Sequence, residues 1–160
     1  MTPGVFLADA AATDTFGRRL ARSLPERAVV FLRGDLGAGK TSLARALLRG
    51  LGVEGPVKSP TYTLIERYSL REGEAAHLDL YRIAAASELD FLGLQDLVPE
   101  LRLWLVEWPD RGLHGLPAPD LEMDLQVEGS GRRLSLNPRS DAGRQWLDGL
   151  AQKGVLGDPS

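Results

Sequence analysis

The residues of this chain best suited to chemistry are one lysine, one threonine and two carboxylates. Lys40 and Thr41 close the run Gly34-Asp35-Leu36-Gly37-Ala38-Gly39-Lys40-Thr41. Glycines at these spacings let the backbone curl until successive amides point inward, which makes a cradle for phosphates. Nucleotide contacts are therefore expected from Gly34, Asp35, Leu36, Gly37, Ala38, Gly39, Lys40, Thr41 and Ser42. Lys40 would reach the β- and γ-phosphates, and the Thr41 hydroxyl would sit on Mg²⁺. The chain holds only three lysines, and one stands where the motif needs it.

A loop of this kind needs a carboxylate at the end of a neighbouring strand, to hold the magnesium shell or orient water. Glu107 follows Leu103-Trp104-Leu105-Val106 and is the best candidate; Asp79, after His77-Leu78, is the second. Taken alone, either could be a solvated strand terminus, but few other positions compete. Ser59, Thr61 and Thr63 either form a switch loop whose hydroxyl meets the γ-phosphate or metal, or make an ordinary Ser/Thr/Pro turn. Trp108 reads as a core aromatic, the alternative being a ring beside the nucleotide. His77 reads as a structural residue of its strand and His114 as a loop histidine. Arg132 and Arg133 follow a glycine turn and read as surface arginines.

The elements that must position these groups follow from periodicity. Val5 to Leu7 reads as a short strand. Asp9 or Thr13 would cap a helix through about Leu24, with Phe16, Leu20 and Leu24 on one face, and Pro25 ends it. Ala28 to Leu32 is apolar throughout, the pattern of a strand buried on both faces. After the loop, Ser42 to Leu51 places Leu43, Leu47, Leu48 and Leu51 inward on a helix. Residues 57–63 read as a loop, because Pro60 favours an extended Ser59. Leu64 to Leu70 and Ala75 to Tyr81 form a hairpin across Arg71–Glu74. Ser87-Glu88-Leu89-Asp90 resembles a capping box before a short helical region, Leu89 to Val98, closed by Pro99. Leu101 to Glu107 is a second strongly apolar strand, followed by a turn at Pro109–Gly112. Leu121 to Glu128 alternates as a half-buried strand and pairs across Gly129–Gly131 with Arg133 to Leu136. Asp141 to about Gln152 is a last amphipathic helix anchored by Trp146 and Leu150.

The fold class is therefore α/β: a P-loop NTPase-like mixed sheet with flanking helices and added antiparallel hairpins. One domain over 1–154 is expected, with 155–160 a flexible tail. At 160 residues the chain can bury a proper core. A net charge of −3 argues against a broad basic face that grips nucleic acid unaided. No apolar run reaches membrane-spanning length and no signal pattern opens the chain, so the cytoplasm is expected. The absence of cysteine excludes disulfides and thiolate metal sites.

Guanine recognition would use an Asn-Lys-x-Asp segment, and the only asparagine, Asn137, precedes a proline. Asp90-Phe91-Leu92-Gly93 fits an Asp-x-x-Gly spacing but lies in a helical pattern. Adenine is the better reading. A P-loop kinase phosphorylating a small metabolite is the alternative, weakened by the lack of an arginine-rich lid. A module that binds nucleotide without turnover is a third.

With all segments in hand, the chain resembles the bacterial TsaE family, ATPases of tRNA threonylcarbamoyladenosine biosynthesis. The matching pieces are GDLGAGKT at Gly34–Thr41, SPTYTL at Ser59–Leu64, HLDLYR at His77–Arg82 and VEWPD at Val106–Asp110. The resemblance implies ATP and Mg²⁺ as ligands, Thr41 and Glu107 at the metal, and Asp79 as the further catalytic or metal-shell acid. It implies that Lys40, Asp79 and Glu107 carry catalysis, that Ser59–Thr63, with Thr61 at its centre, is a nucleotide-responsive switch, and that Thr13 and Arg132 approach the nucleoside. It further implies two protein partners, a threonylcarbamoyl transferase and its inactive paralogue. The tRNA would then be met only through that complex.

Overall fold

The computed structural model describes residues 3–84, 93–97, 101–112 and 115–156. The apolar run after Arg27 becomes strand β2 (Ala28–Gly34), the middle of a seven-stranded sheet. Strand β1 (Gly4–Leu7) lies at one edge, and β3 (Ile65–Ser69) lies at the other. Between them stand β4 (Glu74–Asp79), β5 (Leu103–Glu107), β6 (Leu121–Glu128) and β7 (Gly131–Pro138), in the order β1-β7-β6-β2-β5-β4-β3. Strand β2 runs parallel to both β5 and β6, and β4 runs parallel to β5. The outer pairs, β3–β4, β6–β7 and β1–β7, are antiparallel. This is the mixed α/β sheet that the two hairpins demand.

Alternation along the strands sorts the core into two faces. Ala28, Val30, Leu32, Leu103, Leu105 and Met123 face one apolar cluster; Phe31, Leu78, Trp104 and Val106 face the other. The first cluster is covered by helices α1 (Ala10–Arg22), α2 (Lys40–Gly50) and α4 (Asp141–Gln152). Leu43, Leu47, Leu48 and Leu51 are buried there. Trp146 joins α4 to α1 by donating its indole N–H to the Leu20 carbonyl at 3.1 Å. A short turn of helix, α3 (Leu94–Leu97), places Leu94 in the second cluster. Gly93, with φ 66°, is a turn before α3, and residues 89–92 and 98 of the expected helix, its capping box and His114 lie outside the described residues.

Several boundaries move for local reasons. Asp9 caps α1, accepting the Ala12 amide at 2.8 Å, and the helix stops at Arg22. Strand β3 begins one residue late because Leu64 takes a left-handed φ of 68°. Strand β4 ends at Asp79 rather than Tyr81, because the Asp79 carboxylate accepts the Tyr81 amide and turns the chain. Helix α2 starts at Lys40, two residues before the apolar periodicity. Val155 and Leu156, placed in the tail by their sequence position, pack half-buried against the first cluster. Among the described residues, no helix is long and apolar enough to cross a membrane.

Candidate functional site

Register brings the acids together. Leu32 of β2 pairs with Glu107 of β5, which pairs in turn with Asp79 of β4. The two acids therefore stand side by side at the carboxyl ends of parallel strands, two residues below the start of the glycine loop. In open α/β sheets this edge is where ligands bind. Both side chains share the parity of Leu105, so they face α2 rather than the opposite cluster.

The loop needs glycine at its two ends. Gly34 has φ 146°, and a Cβ there would lie 2.5 Å from the Leu125 carbonyl oxygen. Gly39 caps α2 with φ 103° and no side-chain bond, which leaves the first-turn amides without a side-chain cap. Such a helix start can receive an anion. Lys40 is buried, and its Nζ donates to the carbonyls of Gly34 at 2.6 Å and Asp35 at 3.0 Å. It lies 4.4 Å from the centroid of the Trp108 ring. Burial pushes the Lys40 ammonium below the ordinary lysine pKa, against the opposing pull of Glu107, Asp79 and Asp35. A desolvated cation with two acids nearby suits a polyphosphate.

The hydroxyls arrive from two directions. Thr41 Oγ1 donates to Glu107, 3.0 Å from each carboxylate oxygen. Thr61 Oγ1 donates to Asp79 Oδ2 at 3.2 Å, and Ser59 Oγ lies 2.8 Å from Thr61 Oγ1. Thr63 turns away and bonds Glu66 at 3.1 Å. The loop of residues 57–63 thus reaches the site through Thr61, while Tyr62 beside it is exposed under the Arg82 guanidinium.

On the other side of the loop, Arg132 of β7 donates Nε to the Ala38 carbonyl at 3.0 Å and Nη2 to the Gly37 carbonyl at 3.2 Å. It is a brace for the loop rather than a free surface arginine. Arg132, Thr13, Asp9, Leu7, Gly39 and Ser42 line a cleft of about 180 Å³. The α1 start, the β6–β7 hairpin and the loop therefore converge on one hollow, next to the first-turn amides of α2.

Two more residues make contacts that their sequence context does not suggest. Trp108 does pack against the second cluster, but its ring also meets Lys40 and lies 4.9 Å from Tyr81. His77 is fully buried with Nε2 2.6 Å from Glu107 Oε2. The available signal was parity: His77, two residues before Asp79, must share its face.

Oxygen donors dominate the site, and this is the chemistry of a hard cation. No cluster of three or more histidine or acidic groups forms a protein-only cage among the described residues. Mg²⁺ needs none, being held by one or two carboxylates, a hydroxyl, water and phosphate oxygens. Thr41, Glu107 and Asp79 fit that set.

Comparison with known proteins gives the family and the fold. The family model described as "Threonylcarbamoyl adenosine biosynthesis protein TsaE" matches residues 7–134. The protein of Haemophilus influenzae named "tRNA threonylcarbamoyladenosine biosynthesis protein TsaE" is 38% identical over 141 residues, spanning 85% of this chain and 89% of its own. The Synechocystis protein of the same name is 45% identical over 117 residues, 66% of this chain and 69% of its own. The crystal structure of Bacillus subtilus YdiB superposes with a TM-score of 0.79 at 23% identity, covering 96% of this chain and 98% of that one, a likeness of fold. With the loop, the two paired acids and the family match in agreement, this chain belongs to the TsaE family of threonylcarbamoyl adenosine biosynthesis proteins.

Proposed function

We propose that this protein binds ATP and Mg²⁺ and hydrolyses ATP in support of threonylcarbamoyl modification of the adenosine next to the tRNA anticodon. It would act in the cytoplasm with a threonylcarbamoyl transferase and that enzyme's inactive paralogue, meeting tRNA through the complex. The observation that carries the reading is the convergence of Lys40, Thr41, Glu107 and Asp79 at one strand edge.

Each residue then has a task set by its surroundings. Lys40, already desolvated, exchanges its bonds to the loop carbonyls for phosphate oxygens. Thr41 and Glu107 would hold Mg²⁺, which would supply positive charge beside the phosphates. Asp79 presents a carboxylate for the metal's water shell or for the attacking water, and Thr61 couples it to the switch loop. Arg132 keeps the loop in shape, and the cleft beside Thr13 takes the nucleoside.

The test is phosphate release from ATP by the chain alone and with the transferase pair, with and without tRNA. Mg²⁺-dependent release, raised by the pair, is expected. Lys40→Ala should lose nucleotide binding by about 100-fold or more, since a buried charge-assisted contact is removed. Transfer of phosphate to an added metabolite without free phosphate would replace the reading with a kinase. Binding without turnover, even with the pair, would overturn it.

A further inference from the structure

His77 has no part in the assignments above, although it is the buried neighbour of the principal acid. Its side chain is 0% exposed, and its Nε2 sits 2.6 Å from Glu107 Oε2. Register explains the contact: His77 pairs with Leu105 and Asp79 with Glu107, so His77 lies one step diagonally below Glu107 on the same face. Two nitrogen and oxygen lone pairs at that distance would repel, so Nε2 must carry the proton. Nδ1 is the one buried side-chain polar atom without a partner among the described residues. The geometry makes Nε2 the donor to Glu107.

The two oxygens of Glu107 are therefore not equivalent. Oε2 accepts from both His77 and Thr41, while Oε1 accepts from Thr41 alone. We propose that His77 is a positioning residue. Its Nε2–H pins Oε2 and so leaves Oε1, which His77 does not hold, as the oxygen presented to the cation. This deepens the proposed ATPase reading and rests on it. Without His77 the carboxylate would be held by Thr41 alone and could turn about its last torsion. Groups that orient a metal-binding carboxylate in this way change metal affinity by about 10- to 100-fold when removed.

Two substitutions separate the bond from mere burial. Glutamine carries its amide nitrogen near the position of His Nε2, and asparagine near that of Nδ1, too short to reach Oε2. Binding of a fluorescent ADP analogue is measured against Mg²⁺ concentration, and again in EDTA. His77→Asn is expected to need about tenfold more Mg²⁺ or beyond, with affinity in EDTA within about twofold of the parent. His77→Gln should recover to within about threefold. An equal Mg²⁺ requirement in parent and His77→Asn would overturn the proposal, as would equal defects in both variants. The parent carries a second readout that needs no nucleotide. Long-range ¹H–¹⁵N correlation of its two histidines, assigned with His114→Gln, should show Nε2 of His77 protonated. A bare Nε2, or averaging between tautomers, would overturn it even if neither His77 variant folds. If the parent needs no Mg²⁺ for the analogue, the function reading falls, and the tautomer measurement still reports separately on the bond.

Discussion

The Thr41 hydroxyl lies 3.0 Å from both carboxylate oxygens of Glu107, across 66 residues of sequence. The two groups expected at one metal thus already touch, one from the start of α2 and one from the end of β5. Glu107→Gln keeps the shape and removes the charge. Hydrolysis of MgATP should fall by about 100-fold or more, the range seen when one charge-stabilising group is lost, while ATP affinity in EDTA stays within about threefold. Single-turnover hydrolysis beside equilibrium binding checks this. Hydrolysis at the parental rate would remove Glu107 from the metal site.

Arg132 uses a planar fork to hold two consecutive loop carbonyls, Gly37 and Ala38. Lysine offers a point charge and cannot span both in one geometry. Arg132→Lys should weaken ADP binding about 5- to 10-fold and Arg132→Leu further, each lost charged hydrogen bond being worth about 1.5–3 kcal/mol before solvent repays part of it. Isothermal titration against ADP gives the answer. Unchanged affinity in Arg132→Leu would mean that the loop holds its shape unaided.

Gly17 is where α1 crosses α2. A Cβ there would sit 2.4 Å from Ala46 Cβ and 2.6 Å from the Ala46 carbonyl carbon. Alanine gains about 1 kcal/mol in helix propensity over glycine, but forcing the helices apart costs about 1–3 kcal/mol and usually more at backbone contacts. Gly17→Ala should therefore destabilise despite the propensity gain. Gly149 in α4 has only Ser23 Oγ at 4.0 Å, so Gly149→Ala should stabilise by up to about 1 kcal/mol. Urea melts of both variants compare the two helix positions directly.

Glu122 on β6 lies between Arg139 at 2.8 Å and Arg33 at 3.0 Å, and Arg33 also reaches Asp110. Burial pulls the Glu122 pKa up, but the hydrogen bonds from Arg139 and Arg33 outweigh it and hold the carboxyl below its usual 4.5. A folded pKa below the unfolded one means stability that is fully present above 4.5 and lost as the pH falls through the depressed value. Glu122→Gln should cost about 1 kcal/mol at neutral pH, as for a partly buried pair with good geometry. The gap from the parent should close in acid. Urea unfolding at pH 7 and across the acid range tests the sign. A gap that widens in acid would contradict it.

The glycine loop and its flanking strand and helix were legible because they are local. Gly34–Thr41 carries its own conformational demands, and the apolar runs on either side announce a buried strand and an amphipathic helix. Asp79 and Glu107 could be nominated for a related reason: each closes an apolar run, and the acid that breaks the run marks the strand end. The family resemblance rested on the same short segments. What no local pattern could supply was register. Whether Asp79 stands beside Glu107, whether His77 meets Glu107, and whether Arg132 reaches back 95 residues to the Gly37 carbonyl depend on which strands pair and at which residue. Trp108 is of the same kind: its ring packs on the second cluster and also meets Lys40, a contact that needs β5 docked beside β2. Sequence alone nominated Gly34–Thr41 as a phosphate-type loop and two acids as suited to a metal. The tertiary structure decided which acid, ring and loop carbonyl meet, because hydrogen bonds between residues 30 to 95 apart in sequence are set by packing, not by neighbours along the chain.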